Sequence, residues 1–102
     1  MQVRIRIVNR KILNIVADDE SNELRINNVP VITDVEEFVG KMSILTSSWA
    51  PRYENPRIID GEEYAIKFIS GDREWAYSGK NKFPINYDEF KTLIDKVVRL
   101  CK

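Results

Sequence analysis

Bond-making chemistry in this chain would fall to carboxylates, Lys, Tyr or Arg, because the sequence holds no histidine and a single cysteine, Cys101. Without imidazole there is no Ser-His or Cys-His nucleophile and no base poised near neutral pH. A lone cysteine excludes an internal disulfide and a thiolate zinc site. The remaining candidates are the adjacent carboxylates Asp18-Asp19-Glu20, Glu36-Glu37 and Glu62-Glu63. Neighbours in sequence point apart on a strand or helix, so these read as solvated surface and not as acid–base pairs. No D-x-D-x-[DN]-G spacing offers an oxygen cage for Mg²⁺ or Ca²⁺. The expectation is a chain with no catalytic residues, no metal and no cofactor.

Residues suited to recognition are easier to find. Trp49-Ala50-Pro51-Arg52-Tyr53 gathers the three residue types most enriched at the energetic centres of interfaces. Trp49 either completes a helix stripe or anchors a partner, and Tyr53 either lids the core or does the same. Charge is segregated although the net charge is zero. Residues 1–16 carry Arg4, Arg6, Arg10 and Lys11, whereas the following stretch carries Asp18, Asp19, Glu20 and Glu23 against Arg25. An acidic loop of this kind would speed encounter with a basic protein such as a nuclease. Arg4 and Arg6, with Lys80 and Lys82, are the alternative: a small nucleic-acid-binding or regulatory surface, though no RNP-like motif accompanies them. Strand arginines also discourage edge aggregation.

The elements that must position these residues follow from periodicity. Val3, Ile5 and Ile7 alternate with Arg4 and Arg6, a strand with one wet face. Asn9-Arg10 turns the chain, Lys11 to Ala17 is a second strand, and Glu23 to Ile26 a third. Asn27-Asn28 suits a primed hairpin turn. Val29 to Thr33 is then a fourth strand, put at an edge by Pro30. Asp34 and Glu37 form a capping box ahead of Val35, Phe38, Val39, Met42, Leu45 and Trp49 at helical spacing. Pro51 to Asp60 reads as irregular connection, and Asp60-Gly61 as a turn. Tyr64, Ile66 and Phe68 alternate on a fifth strand, and Trp75 and Tyr77 share one side of a sixth. Phe90, Leu93, Ile94, Val97, Val98 and Cys101 stripe a final helix, with Asp88 and Glu89 early and Lys96, Arg99 and Lys102 late, as its dipole favours.

Between the last strand and helix lies YSGKNKFPINYDEF, residues 77–90. Asn86 is a candidate N-cap with Glu89 three residues on, and Ile85 could staple against Phe90. Pro84 stiffens the approach, Gly79 supplies a positive φ or a close backbone approach, Asn81 stabilises the turn, and Phe83 is expected in the core. An anion loop gripped by Lys80 and Lys82 is the functional alternative, but G-x-x-x-x-G-K-[ST] is absent.

Taken together, Trp49, Tyr53, Asp60-Gly61-x-x-Tyr64, Trp75, Gly79-x-Asn81-x-Phe83-Pro84-x-Asn86 and Phe90 resemble a pattern in small bacterial proteins, W…Y…DG-x-x-W…G-x-N-x-[YF]-P-x-N…F before a final helix. The resemblance spans residues 49–98, with Tyr64 where Trp is expected, and does not extend to the first half. Such proteins are similar to immunity proteins of toxin systems, including contact-dependent growth inhibition. The resemblance implies a non-enzymatic domain that occludes a toxin's active site; charge segregation then offers Asp18, Asp19, Glu20 and Glu23, and residue type Trp49, Arg52 and Tyr53, as the expected contact residues.

At 102 residues the chain can bury one core. The expected fold is a single α+β domain: an antiparallel sheet of about six strands with two helices on one face, in the order ββββ-α-ββ-α. No stretch approaches the ~20 apolar residues of a membrane span. Met1 to Ile7 lacks the apolar block of a signal peptide, so an unprocessed cytoplasmic protein is expected.

Overall fold

A computed structural model describes residues 1–54 and 61–101. The strands are β1 (Gln2–Asn9), β2 (Lys11–Asp18), β3 (Glu23–Ile26), β4 (Val29–Pro30), β5 (Arg52–Glu54), β6 (Glu63–Ser70) and β7 (Arg73–Lys80). The helices are α1 (Val35–Thr46), after β4, and α2 (Tyr87–Val98), after β7. The strands form one sheet in the order β4-β3-β2-β1-β6-β7-β5. Neighbours are antiparallel except β5, which lies parallel to β7. Expectation and structure agree on the α+β class and on the helices. The sheet has seven strands because Arg52–Glu54, expected as irregular chain, pairs with Ser78–Lys80 at the sheet edge.

The alternation at the N-terminus sorts β1 as its sequence demands: Val3, Ile5 and Ile7 are buried, and Arg4 and Arg6 are exposed. Register carries that face across the sheet. Ile5 opposes Ile15 on one side and Ile66 on the other, and Ile15 opposes Ile26. Val35, Phe38, Val39 and Met42 of α1 and Phe90, Ile94 and Val97 of α2 close over this face as one core. Burial of this kind contributes about 25 cal/mol per Å² of apolar surface, the main favourable term in a domain this small. Between β4 and β5 the chain crosses from one sheet edge to the other, about 29 Å at 4.8 Å per strand. α1 supplies roughly 18 Å of that span. The short axis of the molecule, 21 Å, fits two layers.

Local signals explain several ends. Asn27 and Asn28 both adopt positive φ, and the Asn27 side chain accepts from the Asn14 backbone N–H at 2.8 Å. Asp34 Oδ1 caps α1 by accepting from Glu37 N–H at 3.0 Å, but the Glu37 carboxylate turns to Lys41 Nζ, 2.6 Å away, instead of completing the box. The fourth strand stops at Pro30, not Thr33, and Ile32 faces solvent. α1 ends at Thr46, so Trp49 lies beyond the helix. Cys101 lies just past α2 and is half-buried against the core. Asp60 and Lys102 lie outside the described residues. Among the described residues no helix is long and apolar enough to cross a membrane.

Candidate binding face

The W…Y…G-x-N-x-F-P-x-N…F residues converge on one aromatic corner. Trp49 is 5 % exposed and meets Tyr64, Tyr77 and Phe90 edge-on at centroid distances of 5.7, 6.1 and 5.3 Å. Its indole N–H donates to Asn86 Oδ1, and Asn86 Nδ2 donates to the Leu45 carbonyl at 2.8 Å. Asn86 therefore ties the end of α1 to the start of α2. Its side chain makes no cap bond to α2, contrary to expectation, because Trp49 and Leu45 claim both ends of the amide. The staple is absent too: Ile85 is fully exposed, while Phe90 is buried. Phe83, expected in the core, remains 41 % exposed and covers Tyr64 and Tyr87 from outside.

The glycines of this pattern serve close approach. A Cβ on Gly79 would lie 2.3 Å from the Tyr64 ring, and one on Gly61 would lie 1.6 Å from Asn81 Oδ1. Asn81 is itself buried at φ 56°, and its N–H donates to the Glu62 carbonyl at 3.1 Å. Pro84 is buried, and Trp75 stacks on Phe68 at 5.4 Å with the Arg73 guanidinium 5.5 Å from its ring. Lys80 pairs with Glu63 at 3.4 Å, and the Lys82 carbonyl accepts from the Tyr64 hydroxyl. The loop is thus a packed corner, and Trp49 is core and does not present a contact surface.

Beside that corner sits a polar knot that sequence reading treated as solvated surface. Glu62 accepts from the Tyr87 hydroxyl, from Lys91 Nζ at 2.8 Å and from Asn9 Nδ2 at 3.4 Å. Burial works to raise the Glu62 pKa, but the hydrogen bonds from Lys91 and Tyr87 outweigh it and hold the carboxyl below its ordinary value. Burial, reinforced by the Glu62 carboxylate, pushes Tyr87 far above the usual phenol range. Burial and nearby Tyr53 likewise push Tyr64 up to about 12. At neutral pH Glu62 is ionised and Tyr87 neutral, so this pair is matched for structure and ill suited to proton transfer. Locally Glu62 is marked only as half of an adjacent carboxylate pair; its partners come from α2 and from the end of β1.

The surface that differs from ordinary solvated protein is the sheet face turned away from the helices. Register sets it out in rows. Arg25, Val16, Arg4, Lys67 and Ala76 run across β3, β2, β1, β6 and β7; Asn14, Arg6, Ala65, Ser78 and Arg52 run across β2, β1, β6, β7 and β5. Small residues at its centre leave a shallow depression of about 670 Å³ lined by both rows up to Ser78, and an adjoining cleft of about 250 Å³ reaches Arg52 and Tyr53. Lys67 pairs with Glu74 at 2.8 Å and Arg4 Nε donates to Gln2 Oε1 at 2.9 Å. Among the described residues no carboxylate pairs with Arg6 or Arg25.

The other expected contact residues are placed as follows. Arg52 is exposed at the edge of this face; half-buried Tyr53 lines the cleft, and its hydroxyl accepts from Ala50 N–H at 3.0 Å. Asp19 is engaged by the Met1 ammonium at 2.8 Å, and Asp18 accepts from the Glu20 backbone. Of the acidic loop, Glu20 and Glu23 stand exposed. The register that aligns Arg25, Arg4 and Lys67 is a long-range property that no local signal carries. Among the described residues no cluster of three or more Cys, Asp or Glu could hold a metal. Compared with protein-family models, curated proteins and solved structures, the chain has no match.

Proposed function

We propose that this chain is a non-enzymatic protein-binding domain of the immunity type, which docks a toxin domain and covers its active site. The observation that carries this reading is the open sheet face: a concave, cation-lined surface at the centre of the molecule, bare of helices. Its apolar members Val16 and Ile12 are exposed beside the arginines, a mixture suited to protein contact. Arg52 and Tyr53 border the same face and supply residue types that anchor interfaces. Trp49 acts from within, holding the corner on which β5 rests.

A nucleic-acid module using Arg4, Arg6, Lys80 and Lys82 is less well supported. Tyr64, Phe68, Trp75 and Tyr77 all belong to the helix-covered side, so among the described residues half-buried Tyr53, at the border, is all that the open face offers a base for stacking. The test is co-expression with whatever protein domain the adjacent upstream reading frame encodes, assayed for toxicity on its own. The chain is expected to protect the cell and to co-purify with that domain as a stoichiometric complex. No complex at micromolar concentration, with both proteins folded, refutes the reading.

A further inference from the structure

Resting on the docking reading, we infer that the open sheet face receives an acidic segment of the partner protein, whose carboxylates are gripped by Arg4, Arg6 and Arg25. Like charges directly opposite one another in a sheet are unfavourable, yet Arg4 faces Lys67 across β1 and β6 at the centre of this surface. Glu74 offsets part of this charge, pairing with Lys67 at 2.8 Å and attracted also by Arg4, but Arg6 and Arg25 find no carboxylate among the described residues. Such a surface makes sense when a ligand supplies the missing negative charge.

The spacing fits an extended protein segment. Arg4 and Arg6 lie two residues apart on one strand, about 7 Å, the same step that separates side chains on one side of an extended peptide. Arg25 lies two strands from Arg4, about 10 Å away. Ala65, Ala76 and Ser78 keep the floor low enough for carboxylates to reach the guanidinium groups.

The surroundings favour a protein over a polyphosphate. Asp18 and Glu23 oppose each other at one end of the face, and Glu63 and Glu74 flank Lys80 and Lys67. A continuous polyanion crossing the face would meet these carboxylates. An acidic patch bordered by basic residues would match both centre and rim. The sheet edges are poor templates for strand addition, since β4 is two residues long and contains Pro30 and β5 is three residues long. The face itself is therefore the docking element.

The test uses the full chain and three probes: a peptide alternating Glu and Thr, its Gln-for-Glu counterpart, and a single-stranded oligonucleotide of equal charge. Amide chemical shifts locate binding. The acidic peptide should perturb residues 4, 6, 25, 65, 67, 76 and 78, and should weaken as salt is raised. Arg6→Gln with Arg25→Gln should lower its affinity roughly tenfold or more while leaving circular dichroism unchanged. Arg4→Thr should lower affinity and leave the thermal midpoint level or higher, an outcome that a purely structural arginine would not give.

Equal binding of the Gln peptide, perturbations mapping elsewhere, no binding at millimolar peptide, or tighter binding of the oligonucleotide would each overturn the inference. Failure here is separable from failure of the immunity reading. A toxin complex indifferent to Arg6→Gln and Arg25→Gln sinks this chemistry alone. A chain that grips the acidic peptide through these arginines yet protects against no toxin sinks the other.

Discussion

Replacing Gly79 by alanine tests whether the aromatic corner is as rigid as its geometry implies. The added methyl would lie 2.3 Å from Cε1, Cζ and the hydroxyl of Tyr64. Carbon atoms settle at about 3.5–4.0 Å, so the ring must retreat by more than an ångström. Tyr64 is almost wholly buried and boxed by Trp49 at 5.7 Å, Tyr87 at 5.0 Å and Phe83 at 6.0 Å. Overpacking of this kind costs about 1–3 kcal/mol, and a boxed ring places this case in the upper half. The opposing gain from a stiffer unfolded chain is about 0.4–1 kcal/mol.

The net loss should be about 2 kcal/mol, or roughly 10 °C in thermal midpoint for a domain of this size. Urea unfolding followed by tryptophan fluorescence would measure it. Tyr64→Leu removes the obstructing ring, so adding Gly79→Ala to that variant should cost almost nothing further. Gly40 has nothing within 4 Å of its absent Cβ, and Gly40→Ala should stabilise α1 by up to ~1 kcal/mol. A Gly79→Ala protein as stable as the parent, or a penalty that simply adds to that of Tyr64→Leu, would refute the close-approach argument.

Other consequences follow from the polar groups of the same region. Asn86→Ser retains a good capping residue but is too short to bridge Trp49 and Leu45; it should be as damaging as Asn86→Ala, by about 1–3 kcal/mol, and a well-tolerated serine would restore the cap reading. Glu62 has its carboxyl pKa lowered from 4.5 on folding, so its contribution is complete above that pH and is lost as pH falls through the lower folded-state value. The difference in thermal midpoint between parent and Glu62→Gln should therefore shrink in acid, and a gap independent of pH would contradict the network. Tyr64 moves the other way: its pKa is raised on folding, so its contribution is full below pH 10.0 and is lost as pH rises toward about 12. Phenolate absorbance should find Tyr64 unionised at pH 10 in the folded chain, as comparison with Tyr64→Phe would reveal.

How far the sequence discloses this molecule depends on the range of the interaction involved. Val3, Ile5 and Ile7, the Asn27-Asn28 turn, the Asp34 cap and the stripe of α2 are written within a few residues of one another, and each is legible for that reason. β5 is not, because three residues after a proline have no pattern of their own and become a strand only where β7 offers a free edge. The same limit explains Asn86. As a local signal it is a good cap, but its amide is drawn to an indole 37 positions away. Tertiary demand overrides local preference there, as it does at Glu62.

The site obeys the same rule with a different consequence. Arg4 and Arg6 read correctly as a wet strand face, but their meaning depends on what lies beside them. Lys67 is brought opposite Arg4 by the β1–β6 register, and Arg25 is brought into line through Val16. A shift of either register by one residue would send these side chains to the other face and dissolve the arrangement. The hydrophobic core that fixes Val3 against Ala17 and Phe68 therefore also fixes the pattern of charge on the far side. Packing on the covered face and the charge pattern on the open one are thus a single constraint on β1, and a substitution that moves the register of this strand should disturb both together.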